Sequence, residues 1–329
     1  MEKETPSERR LCSLVSKANG EDPIGSATPF EACLMVESAQ PWAREVAGSR
    51  RFPEGLPEFL EAASGGRGPI EKLTALLPDR EYSRAGHTRL LFWRRPPGPF
   101  AAYEKDDLLV PDGEVVPAVE ALLGGPEEIS RFARYRQDTR RVRDIVVCTH
   151  GSRDVCCGKF GYPVYDLLRR RHAARGRLRV WRTSHIGGHR FAPTLIDFPE
   201  GRYWGHLESG VAGKLVTREG PPSGLAGFYR GWAGLGSRFE QIAEREILAL
   251  EGWGWAAYPK QGRVLWADAD GSRAEVRIDY RSTDGDVAGA YEAILEADGG
   301  VMTLTNSGTD PLEEVTRYRV ARLERTPAT

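Results

Sequence analysis

The sequence predicts an α/β protein in which one strand–helix–strand–strand–helix order is used twice, followed by a smaller α+β region. Three observations carry this prediction. Short apolar runs at 32–37 (ACLMVE), 88–93 (TRLLFW) and 144–147 (DIVV) are too brief for helices and are bounded by polar or turn residues. Amphipathic stretches lie between such runs. Beyond residue 250 apolar and polar residues alternate at period two, as in a half-buried antiparallel sheet. A length of 329 residues leaves room for two to three domains.

The first region, 1–140, has strand patterns at Ala32–Glu37, Thr88–Trp93 and Phe100–Tyr103, and helical patterns at Leu56–Ala63, Ile70–Leu77 and Ala118–Leu123. The second, 141–220, starts with a buried strand at Asp144–Val147 and enters a cysteine-bearing loop. A helix follows at Val164–Ala173, then a strand at Leu178–Trp181, a Gly-rich loop, and a strand pair at Thr194–Phe198 and Arg202–Trp204 joined by Pro199-Glu-Gly201. The repeated order fits a tandem pair of thioredoxin-like units, a degenerate duplication without clear residue identity. The third region, 221–329, opens at Pro221-Pro222. It reads as an α-hairpin over Gly224–Leu250, then a small antiparallel sheet over Trp253–Trp266 and Val276–Thr305.

Composition narrows the class. Hydrophobic residues are 40% and charged residues 28%, which excludes a disordered chain. No apolar run approaches the roughly 18 residues of a membrane span. The MEKETPSERR start has no apolar segment behind it, so no signal peptide and no membrane association are expected. Five unevenly placed cysteines do not make a disulfide scaffold, and a reducing, cytoplasmic setting is expected. Net charge is −1, yet residues 131–190 hold 16 Arg or Lys against 4 Asp and no Glu, a local excess of +12. Such a segment is either a solvated surface or a docking face for an acidic partner. Nucleic acid is the weaker alternative, because no helix-turn-helix, zinc-finger or RNP pattern occurs.

The chemistry concentrates in two loops. Cys148-Thr-His-Gly-Ser-Arg-Asp-Val-Cys156-Cys157-Gly158 follows a strand, and His185-Ile-Gly-Gly-His189 follows the next one. Two glycines between the histidines argue against a helix and for a loop on which both imidazoles converge. Two thiolates and two imidazoles on facing loops make a four-ligand site for a soft metal. The spacing is too wide for a DNA-binding zinc finger, and a wide ligand loop suits an elongated [2Fe–2S] rhomb. No C-x-x-C exists for a thioredoxin dithiol. A cysteine-phosphatase loop needs one more residue between Cys148 and Arg153.

CTHGSRDVCCGKFGYPV, WRTSHIGGHRFAPTLIDFPEGRYWGHL and the upstream EDPIGSA resemble the sucrase/ferredoxin-like family, over about residues 10 to 235. The resemblance implies a thioredoxin-like ferredoxin domain whose [2Fe–2S] cluster is held by Cys148, Cys157, His185 and His189. Cys156 stands next to the second thiolate and could replace it after a small loop shift. Such a cluster leads to an electron-transfer or redox-sensing protein; the basic segment adds the expectation of an acidic redox partner, and the second nitrogen of a ligating imidazole that of proton coupling through His185 or His189. "Sucrase" implies nothing, since no paired carboxylates are evident, and a carrier is expected rather than a catalyst. The alternative is a zinc-binding module on the same four residues, and a weaker one is a thiol enzyme using Cys148 or Cys157. His150 is expected to support the site through backbone hydrogen bonds. Cys12 and Cys33 are expected to be buried apolar residues.

Overall fold

The computed structural model describes residues 10–63 and 70–327; the charged start of the chain, 1–9, lies outside the described residues. In chain order the elements are α1 (Cys12–Ala18), β1 (Ala32–Glu37), α2 (Leu56–Ala63), β2 (Lys72–Leu76), β3 (His87–Arg94), β4 (Glu104–Pro111), α3 (Val115–Gly124) and α4 (Pro126–Ser130). They continue with β5 (Arg143–Cys148), α5 (Val155–Arg171), β6 (Leu178–Thr183), β7 (Leu195–Phe198), β8 (Arg202–Trp204), α6 (Ser209–Thr217), β9 (Tyr229–Trp232) and α7 (Arg238–Glu251). The last four strands are β10 (Lys260–Ala267), β11 (Arg273–Arg281), β12 (Ala288–Thr303) and β13 (Glu313–Thr326).

Nine strands form one sheet in the order β4-β3-β1-β2-β6-β5-β7-β8-β9. Its two halves repeat one topology. β1 runs parallel to β2 and antiparallel to β3, which pairs with β4; β5 runs parallel to β6 and antiparallel to β7, which pairs with β8. This is the thioredoxin-like arrangement, used twice. Every residue of β1 is buried, which explains why ACLMVE is a continuous apolar run with no alternation.

The halves meet tip to tip. β2 and β6 share one register pair, Leu76 with Thr183, reinforced by Leu77 N–H to Arg182 O and Ser184 N–H to Ala75 O, both 2.9 Å. The Thr183 hydroxyl donates to Ala75 O, and the Ser184 hydroxyl accepts from Ala75 N–H, both 2.9 Å. Parallel pairing on both sides puts the ends of β1 and β5 in one row, Glu37–Leu76–Thr183–Cys148. The loops that leave those ends therefore face each other across the seam.

A buried ionic network ties β4 to the second half. Asp144 accepts from Arg179 (2.7 Å) and the Trp181 indole (2.8 Å) and pairs with Lys105, while Asp107 takes Arg89 (2.5 Å) and Arg179 (2.9 Å). Residues beyond 221 add β9 to the sheet, and β10–β13 form a separate antiparallel sheet. Helix α7 starts at a capping box, Ser237 with Glu240.

Four expectations are corrected. Ile70–Leu77 is a strand, because its slot beside β1 overrides the helical propensity of Leu, Ala and Lys. Phe100–Tyr103 is a bend that follows an isolated bridge of Phe100 with Lys260, and the strand begins at Glu104. The predicted α-hairpin holds one long helix, α7, since Tyr229–Trp232 pairs with β8 as a strand. Helix α5 begins at Val155, nine residues early, so Cys156 and Cys157 sit on a helix and not in a loop.

Candidate metal centre

Cys148 ends β5, and the chain turns back at once to start α5. Asp154 caps that helix, its carboxylate accepting from Cys156 N–H at 2.8 Å. Cys157 thus lies in the first turn, where the positive end of the helix dipole favours a thiolate. The helix passes so close to the strand end that a Cβ at Gly161 would lie 2.0 Å from the Cys148 carbonyl oxygen. Only glycine fits there.

This packing brings Cys148, Cys157 and His185 together, with one candidate ligand atom from each within 4.8 Å of the others. Both cysteines are fully buried. Burial opposes ionisation of Cys148, but hydrogen bonds with Cys157 and His185 outweigh it and hold its thiol well below the ordinary value. Cys157, which shares that hydrogen bond and is buried, is pushed well above it. His189 stands beside His185, ring centroids 5.4 Å apart, outside the tight set. Cys156 points away, its Sγ 3.6 Å from that of Cys12.

His150 behaves as a support. Its Nε2 bonds the Ala43 carbonyl at 2.8 Å, and its Nδ1 accepts the His185 backbone N–H at 3.0 Å, so its proton belongs on Nε2. Trp42 lies edge-on to it at 5.5 Å. The loop after β1 supplies both Trp42 and Ala43, so the first half forms a wall of the second half's site. Ser152 and Arg153 also reach that loop, bonding Trp42 O and Glu45.

The histidine loop is held by two buried cations. Lys72 Nζ donates to Ile186 O at 2.9 Å. Arg230 donates to Gly187 O (3.0 Å), Thr194 Oγ1 (2.8 Å), Ser26 Oγ (3.0 Å) and Ser26 O (2.7 Å). Among the described residues neither has a carboxylate partner. Burial pulls Lys72 down to about 8 and Arg230 to about 10, and both feel the charge of Cys148. Gly188 has φ +69°, and a Cβ on it would lie 2.2 Å from the Arg230 guanidinium. The EDPIGSA segment now has a role: Ser26 anchors Arg230, and the buried Glu21 accepts from Arg190 at 2.7 Å, just beyond the loop.

Two ring nitrogens in the histidine loop are free to meet a metal group. His185 Nδ1 and His189 Nδ1 are buried without a hydrogen-bond partner. Leaving such atoms unpaired costs about 1–3 kcal/mol each, and a bound metal would satisfy them. The other nitrogen of His189 is already oriented, with Nε2 against Thr305 O (2.9 Å) and Asn306 Oδ1 (3.1 Å).

Sequence reasoning missed Lys72, Arg230 and Asp154. A lone cation inside an apolar strand, as in KLTAL and YRGW, is the signal for a buried charge. Asp154 just before an apolar helical stretch carries an N-cap signature, which Gly158, Gly161 and Pro163 obscured.

The sucrase/ferredoxin-like family model matches residues 23–231, well over half the chain. Among curated proteins the chain is similar to Altered inheritance of mitochondria protein 32 of Debaryomyces hansenii, 43% identical over 56 residues, 17% of this chain and 20% of that protein. The protein of the same name from Meyerozyma guilliermondii is 25% identical over 83 residues, 22% of this chain and 29% of that protein. The chain thus spans under a third of the length of these curated relatives. No solved structure matches. No described helix is long and apolar enough to cross a membrane. By the extent of the family match, the chain belongs to the sucrase/ferredoxin-like family.

Proposed function

We propose that the protein holds a [2Fe–2S] cluster through Cys148, Cys157, His185 and His189 and serves as a one-electron carrier or redox sensor. The observation that carries this reading is the gathering of two buried thiols, Cys148 and Cys157, with His185, while the buried Nδ1 atoms of His185 and of the neighbouring His189 have no partner. Spread favours a two-metal group over a single ion. Thiolates on one zinc, at about 2.3 Å each, bring all ligand atoms within about 4 Å of one another, and His189 lies outside the tight set.

When bound, the cluster supplies a one-electron couple, set higher by neutral imidazole than by thiolate ligands. The chain's own residues do the rest. Lys72 and Arg230, neither with a carboxylate partner among the described residues, place two positive charges near the thiols, which favours added negative charge. His150 fixes the start of the histidine loop by accepting the His185 N–H. His189 holds a proton on Nε2 toward Thr305 O, and coupling of electron uptake to a proton at an imidazole belongs to the same proposal. A potential constant from about pH 5 to 10, where one proton per electron gives about 59 mV per pH unit, removes that part.

Anaerobic purification, iron and sulfide counts and the spectrum of the reduced protein test the whole reading. Two irons and two sulfides per chain with visible bands are expected. A colourless protein with one zinc per chain replaces the reading with a zinc-binding module.

A further inference from the structure

Beside the metal centre lies a second thiol pair that the proposed function does not use. Cys12, the first residue of α1, and Cys156, in the first turn of α5, are fully buried with their sulfurs 3.6 Å apart. They are 144 positions apart in sequence, so the fold alone brings them together. Cys12 Sγ is also 3.6 Å from Asp154 Oδ1. The Ser307 hydroxyl lies 3.3 Å from Cys12 Sγ, 3.2 Å from Cys156 Sγ and 2.8 Å from Asp154 Oδ1, and Ser307 N–H donates to Asp154 Oδ2 at 2.9 Å.

We propose that Cys12 and Cys156 form a dithiol site that a small hydroperoxide oxidises to a disulfide. The sulfurs touch with no atom between them, and side-chain rotation closes that gap to the S–S bond length of about 2.0 Å. In the first step one thiol takes the terminal oxygen of hydrogen peroxide, breaking the O–O bond and giving a sulfenic acid and one water. In the second, the other sulfur attacks the sulfenic sulfur, forming the S–S bond and releasing the oxygen as a second water. Two thiols are oxidised, one peroxide is reduced, and the two thiol protons leave in the two waters.

Size selects the oxidant, because a fully buried pair admits a molecule little larger than water before a bulky disulfide. A zinc ion bound by Cys12, Asp154 and His189 is the competing occupant. It is disfavoured because Ser307 already fills the space between the sulfurs and the carboxylate, and Asp154 is occupied by the Cys156 and Ser307 backbone N–H groups. The disulfide would pin α1 to the helix that carries Cys157.

The test is peptide mapping of the purified protein after hydrogen peroxide treatment, denaturation and alkylation of remaining thiols. The expected result is a Cys12–Cys156 linked peptide in most molecules, reversed by dithiothreitol, with Cys33 alkylated throughout. Cys148→Ser, which removes a proposed cluster ligand, should give the same linkage, so failure of the cluster reading leaves this result standing. Linkage lost in Cys12→Ser, with Cys156 then trapped by dimedone as the sulfenic acid, completes the support. Cys12 and Cys156 both alkylated after peroxide, or stoichiometric zinc lost on Cys12→Ser, overturns the proposal.

Discussion

The two halves of the large sheet share a topology and differ in what stands at the same position. β1 ends in Glu37 and β5 ends in Cys148, and the two lie in one row across the seam. Glu37 is buried and internally satisfied, accepting from Ser83 and from Arg89 N–H at 3.1 Å. Cys148 gathers with Cys157 and His185, whose buried Nδ1 has no hydrogen-bond partner. After β5 six residues lead into a helix that delivers a second cysteine. After β1 eighteen residues lead to α2 and deliver Trp42 and Ala43 to His150 instead. The same scaffold thus supports chemistry in one half and a wall for that chemistry in the other.

Exchanging the chemistry at the two strand ends should have the largest effect. Cys148→Ser and Cys157→Ser are each expected to abolish cluster binding, read as loss of iron and of visible absorbance. Glu37→Gln, at the mirror position, should retain both. Cys156→Ser should retain most absorbance, since its sulfur turns toward Cys12. If Cys156→Ser alone is colourless, the ligand assignment is wrong.

The second position of each strand separates the halves next. β1 has Cys33 there and β5 has Asp144. Cys33 is a core atom, and burial pushes its thiol up to about 12, so Cys33→Ala should cost only about 1 kcal/mol. Asp144→Asn leaves Arg179 and Lys105 short of a counter-charge and should cost about 3–5 kcal/mol. Burial opposes ionisation of Asp144, yet Arg179 and Lys105 outweigh it and hold the carboxyl below its ordinary value. A depressed carboxyl contributes stability above its unfolded pKa of about 3.9, and loses it as pH falls through the folded value. Urea unfolding from pH 7 to 3 should therefore show an acid-side decline that Asp144→Asn lacks. Equal costs for both substitutions would erase the contrast.

Much of the duplication was legible before the structure, and the misses share a cause. β1, β3 and β5 to β8 announce themselves because both faces or one full face must be apolar. β2 reads as a helix, since KLTAL has good helix formers and only its neighbours β1 and β6 make it a strand. Tyr229 and Trp232 fall three apart, a helical spacing that pairing with β8 overrides. In the candidate site, the gathering of Cys148, Cys157 and His185 was legible because Cys and His are rare residue types that stand out in two neighbouring segments. Lys72 and Arg230 were not, because nothing local says that a cation will bond a carbonyl more than a hundred residues away.

Those two cations sharpen the comparison further, since Lys72 comes from the first half and Arg230 from beyond the second. If both act electrostatically on the cluster, Lys72→Met should lower its potential by roughly 50–100 mV, the scale of one unit charge at about 10 Å in an effective dielectric near 20. Arg230→Lys keeps the charge and should shift it far less, although it loses the fork of hydrogen bonds to Ser26 and Gly187. Equal shifts in both variants would make loop geometry, and not charge, the controlling factor.

The smallest effect is expected from the basic segment, where the halves compensate each other. Arg136 pairs with Asp106, Arg143 with Asp197, Arg153 with Glu45, Arg169 with Asp79 and Glu81, Arg179 with Asp107, and Arg190 with Glu21. Each acidic partner lies outside residues 131–190, so much of the +12 excess is neutralised within the fold. Arg140, Arg141, Arg171, Arg175 and Arg177 are exposed and, among the described residues, have no acidic partner. They sit before β5, at the end of α5 and before β6. Because β5 and β6 are parallel, Arg140, Arg141, Arg175 and Arg177 gather at the opposite end of the strands from Cys148, about 20 Å away for a six-residue strand. An acidic redox partner attracted to this patch would be steered to the protein without being placed over the histidines. Its association rate should therefore fall with added salt, as screening beyond about 8 Å at physiological ionic strength requires, while the electron-transfer rate within the complex stays the same. Reversing Arg140 and Arg141 to Glu should slow association several-fold at low salt and hardly at high salt. An association rate indifferent to both salt and reversal would leave the segment as a solvated surface and remove the expectation of an acidic partner.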